Sequence, residues 1–241
     1  AGALTAGSGH VQGQLVVAEQ PAKMAAAEML CQTQRGAGFT VAAFGSCRDG
    51  SAVHLITIPR VYSFMAANDP DAEVMGLNDA QAMYERAYGG DVDYTPDEMA
   101  TFWSFRLMIG LGMASASIGA AALWLTRSGR LIASARLGAA ALWTMWLPFV
   151  ACSFGWIFTE IGRQPWAVAP NLADPASQVR MLTADGVSTV VSPAAVLTSM
   201  IVFTLLYAAL GAVWYLLLRR YIREGVRTPA GPDAAAGDGA A

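Results

Sequence analysis

The sequence is poor in charge, because only 14% of its 241 residues are charged while 55% are hydrophobic. Soluble domains carry about a quarter charged residues, so the deficit indicates contact with lipid. The few charges are unevenly placed, with twelve acids and five bases in residues 1–100 but six acids and ten bases in residues 101–241. This asymmetry indicates two environments for one chain and argues against a nucleic-acid partner.

Cysteine is also scarce. Cys31, Cys47 and Cys152 form neither a CxxC pair nor a metal-ligand spacing, and their odd number excludes a complete set of intrachain disulfides. A Cys31–Cys47 bridge is compatible with an oxidising compartment, and the sequence leaves that pairing open. The chain also lacks a starting Met, a basic leader and a short apolar signal core. Since its apolar segments lie in the second half, we expect a fragment of a longer protein.

Three long apolar stretches are present, near residues 102–125, 137–158 and 194–218. A membrane-spanning helix needs about 20 apolar residues, and backbone groups in lipid must bond within their own segment. The sequence therefore predicts an all-α integral membrane protein with three transmembrane helices. The alternative, very apolar buried helices of a soluble protein, is disfavoured by three such stretches in one half of the chain.

The distribution of arginine predicts the orientation of these helices. The link after the first span holds Arg127, Arg130 and Arg136 without an acid, and the tail after the third span holds four more arginines. The positive-inside rule places both in the cytoplasm. Residues 1–100 and the link between the second and third spans then lie outside. Residues 227–241 are rich in Ala, Gly, Pro and Asp, and they are predicted to be a disordered cytoplasmic tail.

Residues 1–100 are predicted to form a small extracytoplasmic domain ahead of a membrane domain at 101–226. Pro21 suits the first turn of a helix, and Asn78 or Asp79 suits the cap of another. The predicted elements are helices at 19–31 and 78–88 and short strands at 39–44 and 52–58.

Polar side chains near the outer ends of the first two spans are functional candidates, because charge in a membrane is costly. For Arg106 the alternative is snorkelling to the interface, and for Glu160 it is a solvated helix end. Met108 offers a thioether that can ligate haem iron, although a methionine in a membrane helix usually packs. Trp156 shares a helix face with Glu160, as a cofactor wall or as part of an interfacial aromatic belt. Arg163 can pair with a haem propionate or with a lipid phosphate.

Lys23 and Glu28 lie in the first predicted helix. They are five residues apart, so their side chains point about 140° apart on a helix. Glu19 lies four residues before Lys23 and suits an ordinary surface ion pair. Taken alone, these residues favour a solvated helix face.

Three segments together resemble subunit I of cytochrome bd-type quinol oxidases. They are PAKMAAAE at 21–28, FWSFRLM at 102–108 and GWIFTEIGRQPW at 155–166. Their order and the three spans match the carboxy-terminal half of that family. The segment between residues 59 and 102 resembles the short form of the family's outer quinol-binding loop, called the Q-loop.

The resemblance implies a bacterial inner-membrane enzyme that oxidises quinol near the outer face and reduces oxygen to water in aerobic respiration. It implies that Lys23 bonds the quinol oxygen and that Glu28 helps to accept a proton. Met108 matches the axial methionine of the low-spin haem b, and Arg106 matches an arginine beside that haem.

The resemblance assigns a second group of residues to the oxygen-reducing site. Glu160 matches the glutamate at the high-spin haem b, close to haem d. Trp156 and Arg163 match residues of the same neighbourhood. Electrons are thereby implied to pass from quinol through the low-spin haem b to the paired high-spin haems.

The chain departs from the family in its histidines. The family takes haem ligands from histidines of earlier helices, whereas this chain has only His10 and His54, both in the outer segment. It is therefore expected to hold an incomplete haem set and to need the missing amino-terminal half and subunit II. Two other classes stay open: a non-catalytic three-span membrane module and a transporter fragment. The sequence shows neither the internal repeat nor the broken helix that would support a transporter.

Overall fold

The structure of the chain, a computed structural model, describes residues 2–90, 92–129, 134–172 and 179–225, and the predicted tail at 227–241 lies outside them. The described residues are mostly helical. The helices are α1 (Gly2–Glu19), α2 (Pro21–Glu28), α3 (Val61–Ala67), α4 (Leu77–Tyr88), α5 (Glu98–Thr126), α6 (Ala135–Thr144), α7 (Leu147–Gly162) and α8 (Pro193–Glu224). The strands are β1 (Gln34–Arg35), β2 (Phe39–Phe44), β3 (Val53–Ile58), β4 (Glu73–Val74), β5 (Trp166–Val168) and β6 (Met181–Leu182).

The three predicted spans are confirmed as helices long and apolar enough to cross a membrane: Glu98–Thr126, Gly138–Gly162 and Pro193–Glu224. The first begins earlier than predicted, because the Asp97 carboxylate caps α5 by accepting the Ala100 N–H at 2.7 Å. The second consists of α6 and α7, which a tight turn at residues 145–146 joins. Pro148 follows that turn, in the first turn of α7, where its missing N–H costs no helical hydrogen bond.

Short strands make the all-α prediction too simple. Among the described residues, three two-stranded antiparallel sheets pair β1 with β4, β2 with β3 and β5 with β6. The sheet of β2 and β3 matches the two predicted strands, with Phe39 opposite Ile58 and Phe44 opposite Val53. The described part of the chain is therefore mostly helical, with small sheets outside the three candidate spans.

Helix α2 lies at the centre of the first compact unit, Ala1–Val187. It packs against α1, α4, α5 and α7, and all eight of its residues are buried. It begins at Pro21 and ends where Met29 takes a left-handed conformation (φ 53°). A Cys31–Cys47 disulfide, which the sequence left open, then ties the chain after α2 to the chain after β2.

Helix α4 begins one residue before the predicted caps. Gly76 is its N-cap, and a Cβ there would lie 2.2 Å from the Gln32 carbonyl carbon, so only glycine fits this close approach. Asp79 instead accepts the Thr33 N–H at 2.7 Å and thereby fixes the chain that follows the disulfide. The predicted capping role of Asn78 or Asp79 is thus wrong.

Residues Ser188–Ala241 form a second compact unit. Within its described part, α8 begins at a Ser192 cap that accepts the Ala195 N–H, with Pro193 in the first turn. All described side chains of α8 are exposed. An apolar helix of 32 residues with no buried side chain is typical of a segment that lipid or another protein covers.

Candidate functional site

A cavity of about 380 Å³, called the main cavity below, opens between α1, α2, α3, α5 and α7. Lys23 and Glu28 both line it, although they are five residues apart on α2. Neighbouring helices enclose α2, so both residues are buried: Lys23 is 9% exposed and Glu28 is 2% exposed. The solvated helix face that these residues favoured on their own is therefore wrong.

Glu28 forms a buried ion pair with Arg106. Its Oε2 lies 2.5 Å from Arg106 Nη2 and accepts the Thr40 N–H at 3.3 Å. Arg106 also donates from Nε to the Thr40 carbonyl, and its guanidinium lies 4.1 Å from the centre of the Phe39 ring. Arg106 thus points inward to a carboxylate instead of snorkelling to the interface.

Burial decides the acidity of Glu28. It raises the pKa of this carboxyl to about 7, although the Arg106 charge and the hydrogen bonds from Arg106 and Thr40 act in the opposite direction. A carboxyl with a pKa near neutral can accept and release protons at physiological pH.

The Lys23 ammonium is directed at α7. Its Nζ donates to the Thr159 carbonyl at 3.4 Å and lies 4.8 Å from the centre of the Phe158 ring. Burial lowers the Lys23 pKa, Arg163 lowers it further, and Glu160 opposes them. The predicted surface pair with Glu19 is wrong, because among the described residues no ion pair joins these two side chains.

Met108, on α5, lines the same cavity as Lys23 and Glu28. Its Sδ packs against Gly155, where a Cβ would lie only 2.9 Å from the sulfur. Two residues earlier, Arg106 Nη1 is buried without an acceptor among the residues that the structure describes. A soft thioether can ligate the iron of a haem, and a guanidinium N–H without an acceptor can donate to a haem propionate.

The histidines do not complete such a site. His10 lies on α1, where its Nε2 is 2.8 Å from Asn68 Oδ1, and His54 lies on β3, where its Nε2 is 3.0 Å from the Met29 carbonyl. Neither helix α1 nor strand β3 is a candidate span. Within the described parts of the chain, no group of three or more His, Cys, Asp or Glu side chains is arranged to hold a metal ion.

Glu160, Arg163 and Trp156 lie in or just after the carboxy-terminal half of α7, and they do not line the main cavity. Glu160 Oε2 is 2.7 Å from Arg163 Nη2, and both side chains are nearly half exposed. Trp156 is 73% exposed. The structure thus gathers Lys23, Glu28, Arg106 and Met108 into one site and leaves these three residues on an adjoining surface.

Sequence reasoning missed two parts of this site. Thr40 bonds both members of the ion pair, and the strand pattern that predicted β2 gave no sign of this role. Helix α1, which supplies His10 to the cavity wall, was not predicted, because its apolar residues do not gather on one face.

The chain is similar to several known oxidase subunits. A family profile described as cytochrome bd terminal oxidase subunit I matches residues 1–226. A Bacillus subtilis protein named cytochrome bd ubiquinol oxidase subunit 1 is 36% identical over 219 residues, which cover 90% of this chain and 45% of that protein. A putative cytochrome bd menaquinol oxidase subunit I of the same organism is 31% identical over 92% of this chain and 45% of its own length.

A solved structure agrees with these relatives. The bd oxidase of Geobacillus thermodenitrificans matches 92% of this chain and 46% of its own chain, with a TM-score of 0.70 and 27% identity. The chain thus spans about half the length of the relatives it matches. The matches together show that this chain belongs to the cytochrome bd terminal oxidase subunit I family.

Proposed function

We propose that this chain is part of subunit I of a cytochrome bd-type quinol oxidase, an oxidoreductase of aerobic respiration that oxidises quinol in the cavity beside α2. One observation carries the proposal: a buried lysine, a buried carboxyl of near-neutral pKa and a thioether line a single cavity. The names of the relatives, which include a ubiquinol and a menaquinol oxidase subunit, support a quinol as the substrate.

Lys23 and Glu28 divide the handling of the quinol. Lys23 Nζ, already turned into the cavity, donates a hydrogen bond to a quinol oxygen. Glu28 accepts a proton from a quinol hydroxyl, because its pKa of about 7 leaves a large carboxylate fraction at neutral pH. Arg106 holds that carboxylate in place through the 2.5 Å contact.

Five residues would hold haem. Met108 would ligate the iron of a low-spin haem b, and Arg106 Nη1 would donate to a propionate. Glu160, Trp156 and Arg163 would belong to the surroundings of a high-spin haem b and haem d. The haems would supply one-electron transfer from quinol to molecular oxygen, and the protein would bind and orient them.

The chain would cross a bacterial inner membrane and would need partner chains. Residues 1–100 form the Q-loop segment outside a bacterial inner membrane, residues 101–226 form the membrane domain, and the tail lies in the cytoplasm. The Cys31–Cys47 disulfide supports the outer location, because disulfides persist in oxidising compartments. Subunit II and the amino-terminal half of subunit I would complete the complex, since the chain matches about half of its relatives.

A reduced-minus-oxidised optical spectrum tests this function directly. Membranes that contain the chain together with an amino-terminal half and subunit II should show haem b and haem d bands, because the missing ligands are then present. Membranes with the chain alone should lack them. If the partners bring no haem bands, the chain is the non-catalytic module.

Replacing Gly162 should weaken quinol binding. A Cβ at Gly162 would lie 3.2 Å from Cγ and Cε of Lys23 and 3.3 Å from Thr101 Cγ2, so Gly162→Ala pushes the lysine stem away. A lost charged hydrogen bond of about 1.5 kcal/mol corresponds to about a tenfold loss of affinity. We expect the KM for quinol to rise about tenfold while the haem spectrum stays unchanged.

Gly90→Ala is the matched control, because nothing lies within 4 Å of a Cβ at Gly90. It should leave the KM at the wild-type value. A Gly162→Ala complex with a normal KM would mean that Lys23 does not contact the quinol.

A further inference from the structure

A second, much smaller cavity lies on the other side of Lys23. Its volume is about 20 Å³, and residues of α2 and α4 and of the segment after α7 line it. Lys23 is the one described residue that lines both this cavity and the main cavity. A polar cavity needs only about 10–15 Å³ to hold one water molecule.

Trp166, which lines this small cavity, has an unsatisfied donor. Its side chain is 7% exposed, and its Nε1 has no acceptor among the residues that the structure describes. A buried N–H without an acceptor is costly, and an ordered water commonly satisfies such a group. Tyr84, Arg163 and Gln164 also line the cavity and can offer further polar partners.

An open pocket of about 400 Å³ lies beyond the same tryptophan. Trp166 and Tyr94 line both this outer pocket and the small cavity, and their rings stack with centroids 5.2 Å apart. Tyr88, Arg180 and Asp185 line the outer pocket as well. The main cavity, Lys23, the small cavity and the outer pocket thus follow one another in space.

We propose that one water, held between Trp166 Nε1 and Lys23 in the small cavity, carries a quinol proton from Lys23 to the outer pocket. The inference rests on the proposed function and assigns an exit path to one of the two quinol protons. The lowered pKa of Lys23, caused first by burial, supports proton exchange by this amine.

The proton balance of this path is simple. A quinol O–H bond breaks, and its proton forms an N–H bond on Lys23 as the ammonium gives another proton to the water. The water passes a proton on to solvent in the outer pocket and is left unchanged. The quinol electrons leave through the haems. Trp166 holds the water by donating to it, so it is a positioning residue.

Trp166→Phe tests the path in the full complex with the amino-terminal half and subunit II. The change keeps an aromatic ring against Tyr94 and removes the donor. We expect quinol turnover to fall about tenfold and its solvent deuterium isotope effect to rise, because proton exit becomes rate-limiting. The KM for quinol and the haem spectrum should not change.

Ala169→Val is a second test that leaves the tryptophan intact. Ala169 lines the small cavity, so the added methyl groups occupy the space of the water. It should reproduce the slower turnover and the larger isotope effect. Tyr88→Phe is the control, because Tyr88 lines the outer pocket and packs on Trp166 but does not line the small cavity.

The outcomes separate this inference from the proposed function. If both variants retain the wild-type turnover and isotope effect while Glu28→Gln slows quinol oxidation about 100-fold, the water path is wrong and the quinol site stands. If Glu28→Gln also has no effect, the quinol site itself is wrong. A variant that loses its haem bands is misfolded, and the other variant then decides.

Discussion

The Glu28→Gln complex should oxidise quinol about 100-fold more slowly than the wild type, since removal of a positioned proton acceptor costs about 10²–10⁴-fold. The amide keeps the size of the side chain and can still accept a hydrogen bond from Arg106, but it cannot take up a proton. Oxygen reduction from an artificial donor that bypasses quinol should stay near the wild-type rate.

The pH dependence of quinol oxidation should also change in the Glu28→Gln complex. Burial raises the pKa of Glu28 to about 7, so the carboxyl is protonated below that pH and unable to act as a base. Wild-type kcat/KM for quinol should therefore rise as the pH increases through about 7 and level off above it. The Gln variant should lack this inflection.

Glu98→Gln is the control for loss of a buried carboxylate. Glu98 is 5% exposed and accepts hydrogen bonds from Cys47 N at 2.6 Å and Ser46 Oγ at 2.9 Å, but it does not line the main cavity. Its variant should keep the wild-type pH profile. Equal loss of quinol oxidation and of artificial-donor activity in Glu28→Gln would contradict a quinol-site role for Glu28.

The sequence predicted the three spans, but it did not predict the burial of the site residues on α2. The spans follow from apolar length alone, because lipid imposes helical hydrogen bonding on any such segment. The burial of α2 could not be predicted, since Lys23 and Glu28 on an alanine-rich helix are also typical of a solvated surface. Both side chains line one cavity only because α1, α4, α5 and α7 pack around this helix.

The pairing of Glu28 with Arg106 shows the same limit. The two residues are 78 positions apart, and Thr40, which bonds both, lies on a short strand between them. Periodicity describes neighbours along one element, so it carries no information on a contact between a helix, a strand and a membrane span. The family resemblance named both residues, but the structure shows that they act on each other.

The Met108→Leu complex should lose the low-spin haem b signal and, with it, quinol-driven oxygen reduction. Leucine fills a similar volume, so the packing against Gly155 is kept and the stability cost is below about 1.5 kcal/mol. The thioether, which is the only part of this side chain that ligates iron, is lost. A reduced-minus-oxidised spectrum of purified complex measures the result, and an unchanged circular dichroism spectrum shows that the fold persists.

Two other methionines make this prediction specific. Met24 and Met65 line the same cavity as Met108, so Met24→Leu and Met65→Leu remove a thioether from the same surroundings. Both variants should keep the low-spin band, because the proposal assigns the iron to Met108 alone and both substitutions remove a thioether from the same cavity. A low-spin band that survives Met108→Leu but disappears in Met24→Leu would move the haem ligand to α2. Survival in all three variants would place the ligand outside this cavity, and the cavity would then serve quinol alone.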